Sequence, residues 1–205
     1  MNFLSFKNAL KGFVSFKLND IRKIDPGFDL RRLSEWQDKG FLKMIRRGHY
    51  IFSDLDLNES VLFLIANNIY SPSYISMEMA LAYYNLIPEA VYGITSVSSC
   101  KTNRFKTDFG EFIYRHVKPQ LIFGYKLVSH KGQNFKIAAP EKAILDFFYL
   151  NAHLDTKEDF AGLRINSEEF KEQMDRDKLK RYLVAFCNKR LEKRFSKFLK
   201  YTNHD

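Results

Sequence analysis

Two stretches of this chain carry side chains suited to nucleic acid. Arg31, Arg32 and Ser34 form one, and Lys39, Lys43, Arg46, Arg47 and His49 follow it. A guanidinium is a planar fork that bonds the O6 and N7 edge of guanine in pairs, whereas cations on a protruding tip meet backbone phosphate or the minor groove. Glu35 and Asp38 lie between these basic positions and would repel phosphate if they faced it. Glu35, at i,i+4 from both Arg31 and Lys39, is placed to pair with either. A third set, Lys189, Arg190, Lys193, Arg194 and Lys197, falls at helical spacing and predicts a basic band on one side of a terminal helix, read either as a solvated face or as a second nucleic-acid contact.

Residue patterns for catalysis are missing. The sequence has no phosphate-binding glycine loop, no His-Glu-x-x-His, no Gly-x-Ser-x-Gly and no Gly-Ser signature of a nucleotidyltransferase; its five histidines, 49, 116, 130, 153 and 204, show no ligand spacing. Glu169-Phe-Lys171 with Asp159 nearby has the form of a metal-dependent nuclease motif, but it sits in a charged amphipathic helix with no strand before it. Cys100 and Cys187 lie far apart and are expected to be buried free thiols of a reducing cytosol. No catalytic residue, bound metal or cofactor is expected.

The 205 residues include 20 Phe and 11 Tyr against 9 Gly and 5 Pro, enough bulky apolar surface for a compact core and little material for long linkers. The net charge of +9 is unevenly placed. Residues 1–57 hold 11 basic and 7 acidic side chains, 58–99 none and 3, and 100–205 hold 22 and 14, of which 9 and 2 fall in 178–205. Basic ends about an acidic middle suit a polyanionic partner better than a membrane surface. The longest wholly apolar run, Val61 to Ala66, is far too short to span a bilayer, and the first residues lack the pattern of a signal peptide, so a cytoplasmic location is expected.

The elements that would position the basic residues follow from periodicity. Phe3, Phe6 and Leu10 recur at helical spacing before Gly12; Asn19 is expected to cap a second helix with Ile21 and Ile24 inward; Asp25-Pro26-Gly27 breaks it. Asp29 then caps a helix to Lys39 with Leu30, Leu33 and Trp36 on one face, and Phe41 to Phe52 reads as a hairpin turning at Gly48. Helix, helix, turn, helix, hairpin is the order of a winged helix-turn-helix, whose last helix enters the major groove. Beyond it, Asn58–Ile69 and Ser76–Leu86 read as helices. Tyr92–Val97, Gly110–Val117 and Leu121–Val128 read as strands, and Pro140–Leu150, 167–174 and 178–200 as helices. The expected class is α+β: a winged helix-turn-helix over residues 1–57 and a larger mixed α/β domain over 58–205 that ends in helices.

The stretches Asp29-Leu-Arg-Arg-Leu33, Lys39-Gly-Phe-Leu42 and Arg46-Arg-Gly-His-Tyr50 resemble the N-terminal winged helix of the AbiEi-type antitoxins. Ser73 to Ala82 followed by Pro88, and Ala139-Pro-Glu-Lys-Ala-Ile-Leu-Asp146, resemble that family's C-terminal domain in the same order. The resemblance covers about residues 13–150. It implies an antitoxin of a type IV toxin–antitoxin system associated with phage abortive infection. Such a protein is a repressor of its own operon through operator DNA with inverted repeats, and it counteracts a nucleotidyltransferase toxin through its second domain. On this reading the basic terminal band would touch flanking operator DNA or the toxin's RNA substrate. The alternative in the same class is a stand-alone winged-helix transcription factor whose second domain senses a ligand or dimerises; the nuclease is the remote one.

Overall fold

A computed structural model describes residues 1–88 and 93–202, and its architecture is α+β. In the first 52 residues, helix α1 (Phe3–Leu10), strand β1 (Phe16–Lys17), helices α2 (Leu18–Ile24) and α3 (Arg31–Asp38), and strands β2 (Leu42–Arg46) and β3 (His49–Phe52) build a small sheet of order β1-β3-β2 behind three helices. That arrangement is consistent with a winged helix-turn-helix. Phe6, Leu10, Phe16, Ile21, Phe28, Leu33, Trp36, Leu42 and Phe52 form its own core. Phe6 packs against Phe16, Phe28, Trp36 and Phe52 with ring centroids 4.7–6.0 Å apart, so one aromatic side chain of α1 ties α3 and the loop before it to the sheet.

Local chemistry sets the turns. Asn2 caps α1 through Ser5, and Asp25 accepts the amide of Gly27, closing the break between α2 and α3. The cap of α2 differs from expectation: the helix starts at Leu18, and Asp20 reaches back to the amide of Lys17. Asp29 was expected to cap α3; the helix instead begins one residue later, with Leu30 at its N-cap position, and the Asp29 carboxylate accepts from the Arg31 amide at 3.0 Å. Ile24 and Leu30, however, face outward, 41% and 44% exposed. Each lies at the end of its helix, where one turn is too little to carry the side chain under the core. Gly48 turns the hairpin at φ 79°, a left-handed conformation that glycine adopts without strain.

The rest of the chain is built on a six-stranded mixed sheet. Its strands are β4 (Ser73–Ile75), β5 (Ile94–Ser98), β6 (Asn103–Thr107), β7 (Gly110–His116), β8 (Tyr125–His130) and β9 (Gln133–Ala138), in the order β6-β7-β5-β4-β9-β8. Helices α4 (Glu59–Ile69) and α6 (Pro140–Leu150) cover opposite faces. Register shows this: Ile75 is opposite Ser96 and Ser96 opposite Tyr114, whose hydroxyl donates to Ala66 of α4, while Tyr74, one residue back, points to Asp146 of α6. Helix α5 (Met77–Tyr83) joins them. The expected strand from Leu121 is a 3-10 turn, Pro119–Leu121, and β8 begins only after Gly124, whose φ of 72° bends the chain. Tyr92 lies outside the described residues.

Four short helices close the chain: α7 (Lys157–Gly162), α8 (Ser167–Gln173), α9 (Arg176–Ala185) and α10 (Lys189–Thr202). The single helix expected over 178–200 is thus two. The break falls at Cys187, whose φ of 46° ends α9, and Asn188 caps α10 by accepting from Arg190 and Leu191. Neither free cysteine is buried, correcting that expectation: Cys100 is half-buried and Cys187 exposed.

Candidate nucleic-acid interface

Helix α3 presents Arg31, Ser34, Glu35 and Asp38 to solvent, with Lys39 exposed at its C-terminal cap, because Leu33 and Trp36 anchor the opposite face. Arg32 is drawn inward and donates to the Met1 carbonyl. Arg22 and Lys23, exposed in the last turn of α2, add two cations that the motif reading did not single out. Arg31 is therefore the exposed arginine at the N-terminal end of α3, the position from which a recognition helix meets base edges.

Strand register sorts the wing. Leu42 pairs with Phe52 on the small core, and Met44, which is exposed, pairs with Tyr50 on the same face of the strands; Lys43 pairs with Ile51, and Arg46 and Lys17 both pair with His49, on the other face. The second face turns toward the large sheet. Ile45 and Ile51 join its core, as does Val14. The Arg46 guanidinium donates to the carbonyl of Ile69 at 2.7 Å and stacks 4.7 Å above the ring of Phe105, while Lys43 stands 5.5 Å above Phe109. Asn68 donates to Ser15 at 3.1 Å and Gln133 to the Gly12 carbonyl across the same junction. Three tip residues were expected to reach outward together, and Arg47 alone of them is exposed; Arg46 and His49 are half-buried. Burial, with Arg46 and Lys17 beside it, holds the His49 imidazole below its ordinary pKa.

The terminal basic band is also reorganised. Lys189, Arg190, Lys193 and Lys197 are exposed, but Arg194 is buried, with 9% of its surface left to solvent. Its guanidinium donates to the carbonyls of Phe148, Asn151 and Leu154 at 3.0–3.3 Å, closing the C-terminal end of α6, where orphan carbonyls and the negative pole of the helix dipole favour a cation. Lys197 pairs with Asp155 at 2.8 Å. Three cations thus remain of the expected five.

The resemblance-bearing segment around Pro140 has its charged side chains, Glu141, Lys142 and Asp146, buried. Lys142 and Asp146 are wholly buried, one turn apart on α6, and paired. Tyr74 donates to Asp146 at 2.9 Å, Ser76 donates to it at 2.8 Å, and Lys142 donates to the Tyr74 oxygen at 2.8 Å. The rings of Tyr74, Phe123 and Phe186 surround the ammonium at 4.7–5.4 Å. Burial pushes Lys142 below the usual lysine range and Asp146 above the usual carboxylate range, while their mutual attraction opposes both shifts. Such a sealed, hydrogen-bonded pair fastens α6 to β4 and to the joint between α9 and α10.

The carboxylates of the nuclease-like pattern have local structural partners. Asp159 accepts the amides of Asp155 and Thr156 at the start of α7, and Glu169 accepts from Gln173 within one turn of α8. Among the described residues no three His, Cys, Asp or Glu side chains converge as metal ligands, and no helix is long and apolar enough to cross a membrane. No family model and no curated protein matches this chain.

Proposed function

We propose that the chain is a DNA-binding repressor of the AbiEi antitoxin kind. On this reading residues 1–57 hold an operator through α3, and residues 58–205 counteract a nucleotidyltransferase toxin by binding rather than catalysis, in the cytoplasm. The observation that supports it most is the exposure of Arg31 and Ser34 at the N-terminal end of α3, on a helix pair backed by a β1-β3-β2 sheet. Lys39, Arg47, Arg22 and Lys23 would supply phosphate contacts around that helix. The antitoxin part rests on the sequence resemblance; the exposed Lys189, Arg190 and Lys193 are the surface it would use.

The test is binding of the full chain to the DNA upstream of its own gene. Arg31→Ala should weaken it by about 1–3 kcal/mol and relax base preference, as expected when a bidentate base pairing is removed. Unchanged affinity and specificity would remove Arg31 from the interface. Co-expression with a nucleotidyltransferase encoded beside it tests the second half: growth should be rescued, and rescue should fail on charge reversal at Lys189, Arg190 and Lys193 together.

A further inference from the structure

A cavity of 300 Å³ lies among α8, α9 and α10, remote in sequence from the DNA-binding helices. Its floor is apolar, built on Phe170, Leu179 and Phe195, and its mouth carries Lys171, Arg176 and Lys180. Phe170 and Phe195 both pack on Phe198, with centroids 5.6 Å apart in each pair, so the floor belongs to the aromatic core that fixes the terminal helices. The three cations are exposed, and no carboxylate among the described residues lines the space. Two nearby acids have partners of their own. Asp175 accepts the amide of Lys178 as the cap of α9, and Glu141 pairs with the Lys178 ammonium at 2.8 Å.

An apolar floor under a rim of one sign selects a ligand with an apolar body and the opposite charge at one end. The volume sits at the lower bound of small-molecule sites, about 300–1,000 Å³, which fits a compact amphiphile better than an extended helix. The planar fork of Arg176 suits a carboxylate. We propose that this cavity is a binding site for a free medium-chain carboxylic acid, its chain on Phe170, Leu179 and Phe195 and its carboxylate at Arg176 and Lys180.

Calorimetry of the full chain with decanoate tests this directly. Saturable binding at one site is expected, weakened about tenfold or more by Arg176→Glu with Lys180→Glu, while decanol binding changes little. Leu183→Trp, at a half-buried lining position, should abolish binding of both. The rim positions are exposed, so circular dichroism melts of the charge variant should match the parent, separating lost binding from lost fold. No saturable binding, or binding indifferent to both the rim and the filled cavity, overturns the proposal. Displacement of decanoate by an acidic amphipathic peptide that itself binds much more tightly would assign the site to a protein partner and overturn it as well.

Discussion

Arginines that look alike in sequence are held in very different ways. Arg46 and Arg47 are adjacent, yet the first is fixed between the Ile69 carbonyl and the Phe105 ring while the second stands free at the hairpin tip. Their alanine variants should separate accordingly. Arg47→Ala is expected to leave thermal stability unchanged and to lower the salt dependence of DNA binding by about 0.9 log unit, the share of a single neutralised phosphate. Arg46→Ala should lower the melting temperature, since a carbonyl and a ring are deprived of their cation together. Equal effects of the two on melting would disprove the assignment of Arg46 to the junction. The Lys142–Asp146 pair makes a second case. Either single neutral replacement, Lys142→Met or Asp146→Asn, should cost about 3–5 kcal/mol by stranding a buried partner, and the double variant should cost clearly less than the two together. Additive losses in denaturant unfolding would show that the two groups act independently.

At the level of elements, sequence reading succeeded where one face is apolar and the ends are marked. Asn58 and Pro140 start α4 and α6 at the expected places, and Gly48 turns the wing. It failed where the deciding partner is distant. Strand β6, Asn103–Thr107, is polar at all but Phe105, so nothing in its own residues betrays a strand; pairing with β7 makes it one. Strand β4 is three residues long, too short for any alternation to register. Charge misled in the same manner. Arg194 read as part of a solvated band because the group that buries it, the carbonyl end of α6, is supplied by tertiary packing, as are the three rings around Lys142. A signal was available in one instance: Asn188 is a good cap, and an interior Asn preceded by Phe-Cys marks the place where α9 stops. The candidate DNA-binding residues were legible as a set, but their division between α3, the tip and the junction depends on the two-residue alternation of β2 and β3 together with the bulge after Met44.

Across the whole molecule the two cores touch. Val14, Ile45 and Ile51 belong by sequence to the small N-terminal unit and by packing to the large core. A fragment of residues 58–205 is expected to fold, because its sheet and covering helices are complete, but to melt lower than the same region in the full chain and to bind a hydrophobic dye, being stripped of the cover of those side chains. Melting at the parent temperature would mean that the junction contributes nothing. The same packing fixes the orientation of α3 relative to the large sheet, so removing the wing's inner face should also disturb operator geometry without touching α3.

His49 gives that junction an acid response. In the folded chain its proton affinity is held down by burial, with Arg46 and Lys17 reinforcing the effect and Asp20 opposing it. Once the chain unfolds, the imidazole regains its ordinary value near 6.5. Above that pH both states are neutral and the residue is silent; as pH falls through 6.5 toward the lower folded value, the unfolded state takes up the proton first and stability declines. His49→Gln should therefore flatten this part of the stability–pH curve between roughly pH 7 and 5, and an unchanged slope would place the titration elsewhere. The folded wing thus works as a proton-excluding joint, and mild acidification loosens the seam that holds the N-terminal unit to the body of the molecule.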